Sequence, residues 1–197
     1  MRLKTLSLFL AVFLVSLAGA ATLQVMNLDD MSASSMAIVH GRITASRSDF
    51  SDSQRNYILT YYTMQADRYL KGNLGATFEF AEPGGRVGNA MTVVPGAPTF
   101  HAGDEVVLFV WTDSIHQRHQ VIGFEQGAFR VQRDAATGRR VLSHAQPLTG
   151  GGQIVESSEL NTIPGARTSL DLNEFLNQVT TSVRRVAARQ QAQGGKQ

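Results

Sequence analysis

The segment Gly84-Gly85-Arg86-Val87-Gly88 concentrates the features best suited to ligand contact in this 197-residue chain. Glycines leave backbone amides uncovered, and an arginine fork among them would clamp a carboxylate or a phosphate. The spacing is not that of a dinucleotide fingerprint, and no Gly-Lys-Ser/Thr follows to make a Walker loop. The competing structural reading is a turn whose arginine is buried or covers the sheet. Histidines come next. His101 lies in a Pro/Gly-rich turn over residues 95–104, and His116 and His119 stand three apart beside Gln117 and Arg118. Some metal pairs share that spacing, but here there is no helix period and no third ligand, so the pattern predicts a solvated hairpin loop that can touch a partner. Binding contacts are therefore assigned to Gly84, Gly85, Arg86, Gly88, His101, His116 and His119, with no metal and no cofactor.

Catalytic patterns are absent from the sequence. Without cysteine there is no thiol nucleophile, disulfide or thiolate metal site. No G-x-S-x-G or H-E-x-x-H occurs, and nothing selects a pair among Asp49, Asp52, Asp104 and Glu105. No catalytic residue is assigned. Tyr57, Tyr61, Tyr62 and Tyr69 would suit a stacking platform for glycan or nucleic acid, but tyrosine is also at home on a half-buried sheet, which is the reading preferred here.

The elements that must position these residues are mostly strands. After a short helical segment over residues 28–35, residues 38–45 form a strand with Val39, Gly41, Ile43 and Ala45 inward, and residues 46–54 read as a polar loop. Residues 57–70 form a long, bent strand. Residues 76–81 alternate cleanly, with Phe78 and Phe80 inward. A short strand lies within 89–94, and the apolar run 106–111 predicts the most buried strand, covered on both sides. Residues 120–124, 128–133 and 139–142 complete the set. A Gly/Ser/Thr-rich stretch over 143–169 reads as a flexible linker. It ends at Asp171, an N-cap with Glu174 three residues on, and Leu172, Phe175, Leu176, Val179, Val183 and Val186 then recur at helical spacing. The joints are too short for crossover helices, so a doubly wound sheet is excluded and an antiparallel barrel is expected.

The beginning of the chain reads as an export signal. Arg2 and Lys4 precede an apolar run over 6–17, followed by Ala18-Gly19-Ala20, a small-x-small cleavage site. Cleavage there removes two of the eighteen basic residues and no acid, so the formal charge falls from +2 to zero. With a basic tail, the body is left acidic, and no basic face for nucleic acid is visible.

Several motifs together resemble a group of uncharacterised exported bacterial proteins. They include Tyr69-Leu70-Lys71-Gly72, Pro83-Gly84-Gly85-Arg86-Val87-Gly88, Pro95-Gly96-Ala97-Pro98 and Val121-x-Gly123-Phe124-x-Gln126-Gly127-x-Phe129. More distantly the pattern resembles the OB-type barrel of netrin and tissue-inhibitor-of-metalloproteinase modules. That resemblance implies a barrel. The inhibitors' N-terminal cysteine has no counterpart here, so their mechanism does not carry over.

The expectation is a mainly β chain: an antiparallel OB-like β-barrel with a short N-terminal helix and an amphipathic C-terminal helix. Its parts are a signal peptide (1–20), the barrel (21–142), the linker (143–169), the helix (170–189) and a disordered tail (190–197). The expected role is a periplasmic or secreted, non-catalytic binding or accessory module. Its partner would be a protein of the envelope or medium, with no nucleic acid and no stable membrane insertion. The alternatives are a hydrolase with a dispersed site and a glycan-binding module.

Overall fold

A computed structural model describes residues 25–52, 56–144 and 170–194. The expected signal peptide, nearly all of the expected linker and the last three residues lie outside the described residues. The chain is mainly β, with helix α1 (Leu28–Ser34) before the strands and helix α2 (Leu172–Gly194) after them. The main sheet is antiparallel. Its order is β10 (Leu170–Asp171), β9 (Arg140–His144), β8 (Ala128–Arg133), β6 (Glu105–Asp113), β1 (Ala37–Phe50), β2 (Ile58–Lys71) and β3 (Thr77–Pro83). A further strand, β7 (Arg118–Val121), shares the edge of β6 with β8. Two short strands, β4 (Gly85–Val87) and β5 (Ala90–Thr92), form a hairpin of their own.

β6 is the axis of the molecule. Val106 to Val110 are all fully buried, as a continuous apolar run demands. Alternate side chains serve two cores. Val106, Leu108 and Val110 join Val39, Ile43, Tyr62, Phe78, Phe80 and Phe100 inside the curl of the sheet. Val107 and Phe109 join Ile38 on the other face, under Met31 of α1 and Leu172, Phe175, Leu176 and Val179 of α2. The C-terminal helix thus covers a face of the sheet.

Its start is capped as expected. The Asp171 carboxylate accepts from the backbone N–H of Asn173 (2.9 Å) and of Glu174 (3.4 Å). The two helices are clasped where Asp29 accepts from the Ser182 hydroxyl (2.6 Å) and from Arg185 (3.0 Å) and Arg189 (3.2 Å). The Ser182 hydrogen bond, and then the arginines, hold the Asp29 carboxyl below the usual range despite some desolvation. Lys71 Nζ donates to the Ser32 carbonyl (2.6 Å), satisfying the C-terminal end of α1.

The sheet curls until β3 lies alongside β7, yet no ladder joins them and the barrel is not closed. Four antiparallel steps separate the two strands, so they run in the same direction. The curl comes from irregularities in β1 at residues 38/39, 40/41 and 43/45. At Gly41, a Cβ would sit 2.2 Å from the Gln65 carbonyl oxygen, so only glycine admits β2 this close.

Other boundaries also differ from expectation. β1 runs on to Phe50 through the supposed loop, because its polar residues stay paired with β2. Ala45 is exposed, beyond the third irregularity. The strand expected over 120–124 ends at Val121. Gly123 (φ 62°) and Phe124 (φ 57°) adopt left-handed backbone, and a 3-10 turn (Phe124–Gly127) follows. β9 takes in Ser143 and His144 from the expected linker, and α2 continues through Gly194 where a frayed tail was expected.

Candidate functional site

The most unusual chemical group in the described protein is Glu82. It continues the inward alternation of Phe78 and Phe80 along β3 and is only 3% exposed. Its Oε1 accepts from the Val121 backbone N–H at 2.7 Å, so one carboxyl bridges the unladdered seam between β3 and β7. Burial pushes its pKa up to about 8, against the opposing pull of that N–H, and the group is mostly protonated at neutral pH.

Polar side chains of β1 and β2 gather next to it. Ser48 and Thr60 share a 2.9 Å hydroxyl contact, and Thr60 donates to the Gly84 carbonyl at 2.8 Å. Tyr62 is buried, stacked on Phe80 (5.4 Å) and edge-on to Phe100 (5.1 Å). Burial is the main reason its phenol pKa is raised, and the Glu82 charge adds to the rise. Thr60, Tyr62, Glu82, Gly84, Val94 and Pro98 line a cavity of about 90 Å³. That is room for about three waters.

Gly84 and Gly85 of the sequence assignment reach this cavity; the other assigned residues do not line it. Gly84 (φ 108°) and Gly85 (φ 129°) take backbone conformations closed to L side chains, and a Cβ on Gly85 would meet Thr60 Oγ1 at 2.4 Å. Gly84 N–H also donates to the Ile58 carbonyl, rooting the β4–β5 hairpin on β2. Arg86 is not buried. It is exposed, with no ion pair or hydrogen bond to another described residue, opposite Met91 in the hairpin. Gly88 (φ 57°) sits at the turn with open space around it. Met91 (64% exposed) and Val93 (65%) add apolar surface beside Arg86.

The histidines lie elsewhere. His101 is exposed in a turn tied to β1 by Gly103 N–H on the Ile43 carbonyl, and its own N–H donates to Asp104. His116 pairs with Asp113 at 2.5 Å in the exposed β6–β7 loop, and that hydrogen bond lowers the Asp113 pKa. His119 is not in the loop. It is a half-buried residue of β7, bonded to Thr112 (2.8 Å) and edge-on to Phe78, with burial lowering its pKa. Among the described residues no three His, Asp or Glu side chains gather to hold a metal ion, and no helix is long and apolar enough to cross a membrane.

The tyrosines also part company. Tyr61 lies under the Arg47 guanidinium (4.2 Å), Tyr62 is core, and the Tyr69 hydroxyl donates to Gly75. Sequence reading missed Glu82. The available signal was its place in Phe78-x-Phe80-x-Glu82, where an acid takes the third inward position. No protein-family model, curated protein or solved structure matches the chain.

Proposed function

We propose that the protein is an exported, non-catalytic binding module whose partner is another protein of the envelope or medium, engaged through the β4–β5 hairpin. The observation that carries this reading is the hairpin itself. It is rooted on β1 and β2 through Gly84 and Gly85 and presents Arg86 opposite Met91, with Val93 adjoining. Apolar surface exposed on this short hairpin and kept out of either core is best accounted for by a partner. An arginine flanked by apolar side chains is a common anchor at protein interfaces. The strand order β3-β2-β1-β6-β7, with β3 and β7 side by side in parallel, supports an OB-type reading of the curled sheet and the distant family resemblance that goes with it.

Parallel capture from envelope extract and culture fluid with the purified protein and with a triple variant, Arg86→Glu, Met91→Ser, Val93→Ser, tests this. Proteins retained by the first and lost by the second, with thermal unfolding unchanged, are expected. Equal retention by both sinks the hairpin as the contact.

A hydrolase reading draws on one observation, a protonated Glu82 beside Tyr62 in a cavity. Ligand pockets usually hold about 300–1,000 Å³, so this cavity is small for a substrate. Turnover abolished by Glu82→Gln would favour the hydrolase over the binding module.

A further inference from the structure

Pairing across the sheet collects arginines that are far apart in the chain. Arg133 and Arg140 stand directly opposite each other in the β8–β9 ladder, and Arg42 stands opposite Glu105 in the β1–β6 ladder. Register puts all four side chains on the face that α2 covers further along, because Val131 and Leu142 of the same parity lie in the helix-covered core. Arg68, opposite His40, continues the line onto β2. A row of four exposed arginines thus crosses β9, β8, β1 and β2. It forms a basic face that the charge balance of the sequence did not reveal.

The row is preorganised. Glu105 sits at its centre with a side chain only 17% exposed, accepting from Arg140 (3.0 Å) and from His40 (2.8 Å), with Arg42 at 3.9 Å. Arg42 also donates to the Gly103 carbonyl (2.9 Å), and Arg133 donates weakly to Gly138 in its own turn (3.4 Å). Each guanidinium carries five donors, so most remain for solvent or a ligand. Arg133 facing Arg140 is a like-charge cross-strand pair, which destabilises a sheet unless something negative lies across it. Other acids near the row are Asp67, beside Arg68, and Asp171 of β10, which pairs with Arg139 next to Arg140; Asp134 is turned into its own turn onto Thr137.

The geometry points to this row as a docking surface for an extended acidic polypeptide segment. It shares no residue with the hairpin and stands or falls independently of it. Arginine forks match carboxylates two bonds at a time, and Glu105 already engages Arg140 within the row through one of them. The Arg140 and Arg42 guanidinium groups both reach the Glu105 carboxylate, so their heads lie close together; alternate residues of an extended peptide recur every ~6.8 Å and can reach both. A densely charged polyanion fits worse, since it would set negative charge against Glu105. A peptide can place a neutral residue there.

The test uses purified protein and a fluorescently labelled peptide of alternating glutamate and serine, read by anisotropy, with a sulfated oligosaccharide as the rival ligand. The expected result is peptide binding that weakens as ionic strength rises from about 0.05 M to about 0.3 M. Arg42→Gln, Arg133→Gln and Arg140→Gln combined should lower affinity at least about tenfold, while Arg47→Gln, at the far end of β1, leaves it unchanged. Should the triple variant fail to fold, Arg133→Gln alone reads the same loss at about threefold or more. The proposal is overturned if the peptide does not bind, if the triple variant binds it as well as the parent protein does, or if only the oligosaccharide binds.

Discussion

The two ends of the main sheet are finished in opposite ways. At one end, β10 hydrogen-bonds to β9 and runs without a loop into α2, whose apolar stripe lies across the sheet. At the other end, β3 lies beside β7 with no ladder, joined by the Glu82 carboxyl on the Val121 N–H. The first end is held by apolar area, which responds little to pH. The second depends on a group whose protonation changes near neutrality. Stability of the helix end and of the seam should therefore separate under the right perturbation.

The largest effect is expected at the helix end. Phe175 is 5% exposed and its ring lies 4.5 Å from that of Phe129. Phe175→Ala should destabilise by about 3–5 kcal/mol, measured by urea unfolding, with little change in its pH dependence. A loss below about 1 kcal/mol would break the comparison, because the helix would then be an ornament on a self-sufficient sheet.

The seam comes second. The pKa of Glu82 is raised from its ordinary 4.5 to about 8 in the folded protein. The folded state therefore holds a proton that the unfolded state has released, and its contribution is fully present below pH 4.5 and is lost as pH rises to about 8. The loss across that window is on the order of a few kcal/mol. Glu82→Gln keeps an acceptor for Val121 and has no proton to lose, so its unfolding midpoint should lack the fall that the parent shows across the window and exceed that of the parent at pH 8. Parallel pH profiles for the two proteins would remove the seam's special status.

The smallest effect sharpens the other side. Asp171→Ala removes the N-cap of α2 and its 3.4 Å ion pair with Arg139, and should lower stability by about 1 kcal/mol. Hydrogen exchange should report the change in the first turn of α2 and in β10, leaving β3 and β7 protected as before.

What could be read from the sequence follows the same division. The stripe from Leu172 to Val186, the Asp171 cap and the apolar run of β6 are local patterns, and each appears where its periodicity put it. The outer half of β1 was not legible, because Ser46 to Phe50 extend past the core and owe their strand to β2 alone. The last turns of α2 were hidden for a similar reason. Residues 187–194 are exposed all round and carry no apolar repeat. At the candidate sites the glycines of the hairpin were legible from their composition. Glu82 needed the alternation of β3 to be carried one step beyond Phe80. The arginine row depends on register between strands up to ninety-eight positions apart in the sequence, from Arg42 to Arg140, and no local signal encodes that.

α2 follows every strand in sequence, and that has a consequence for the order of events in folding. Ile38, Val107 and Phe109 come early in the chain, yet apart from Met31 of α1 the helical side chains that cover them come only with residues 172–186. A nascent chain carrying every strand up to β9 still shows an apolar sheet face to water or to a chaperone. The second core therefore closes only once residues 172–186 are in place, whichever strand has formed first.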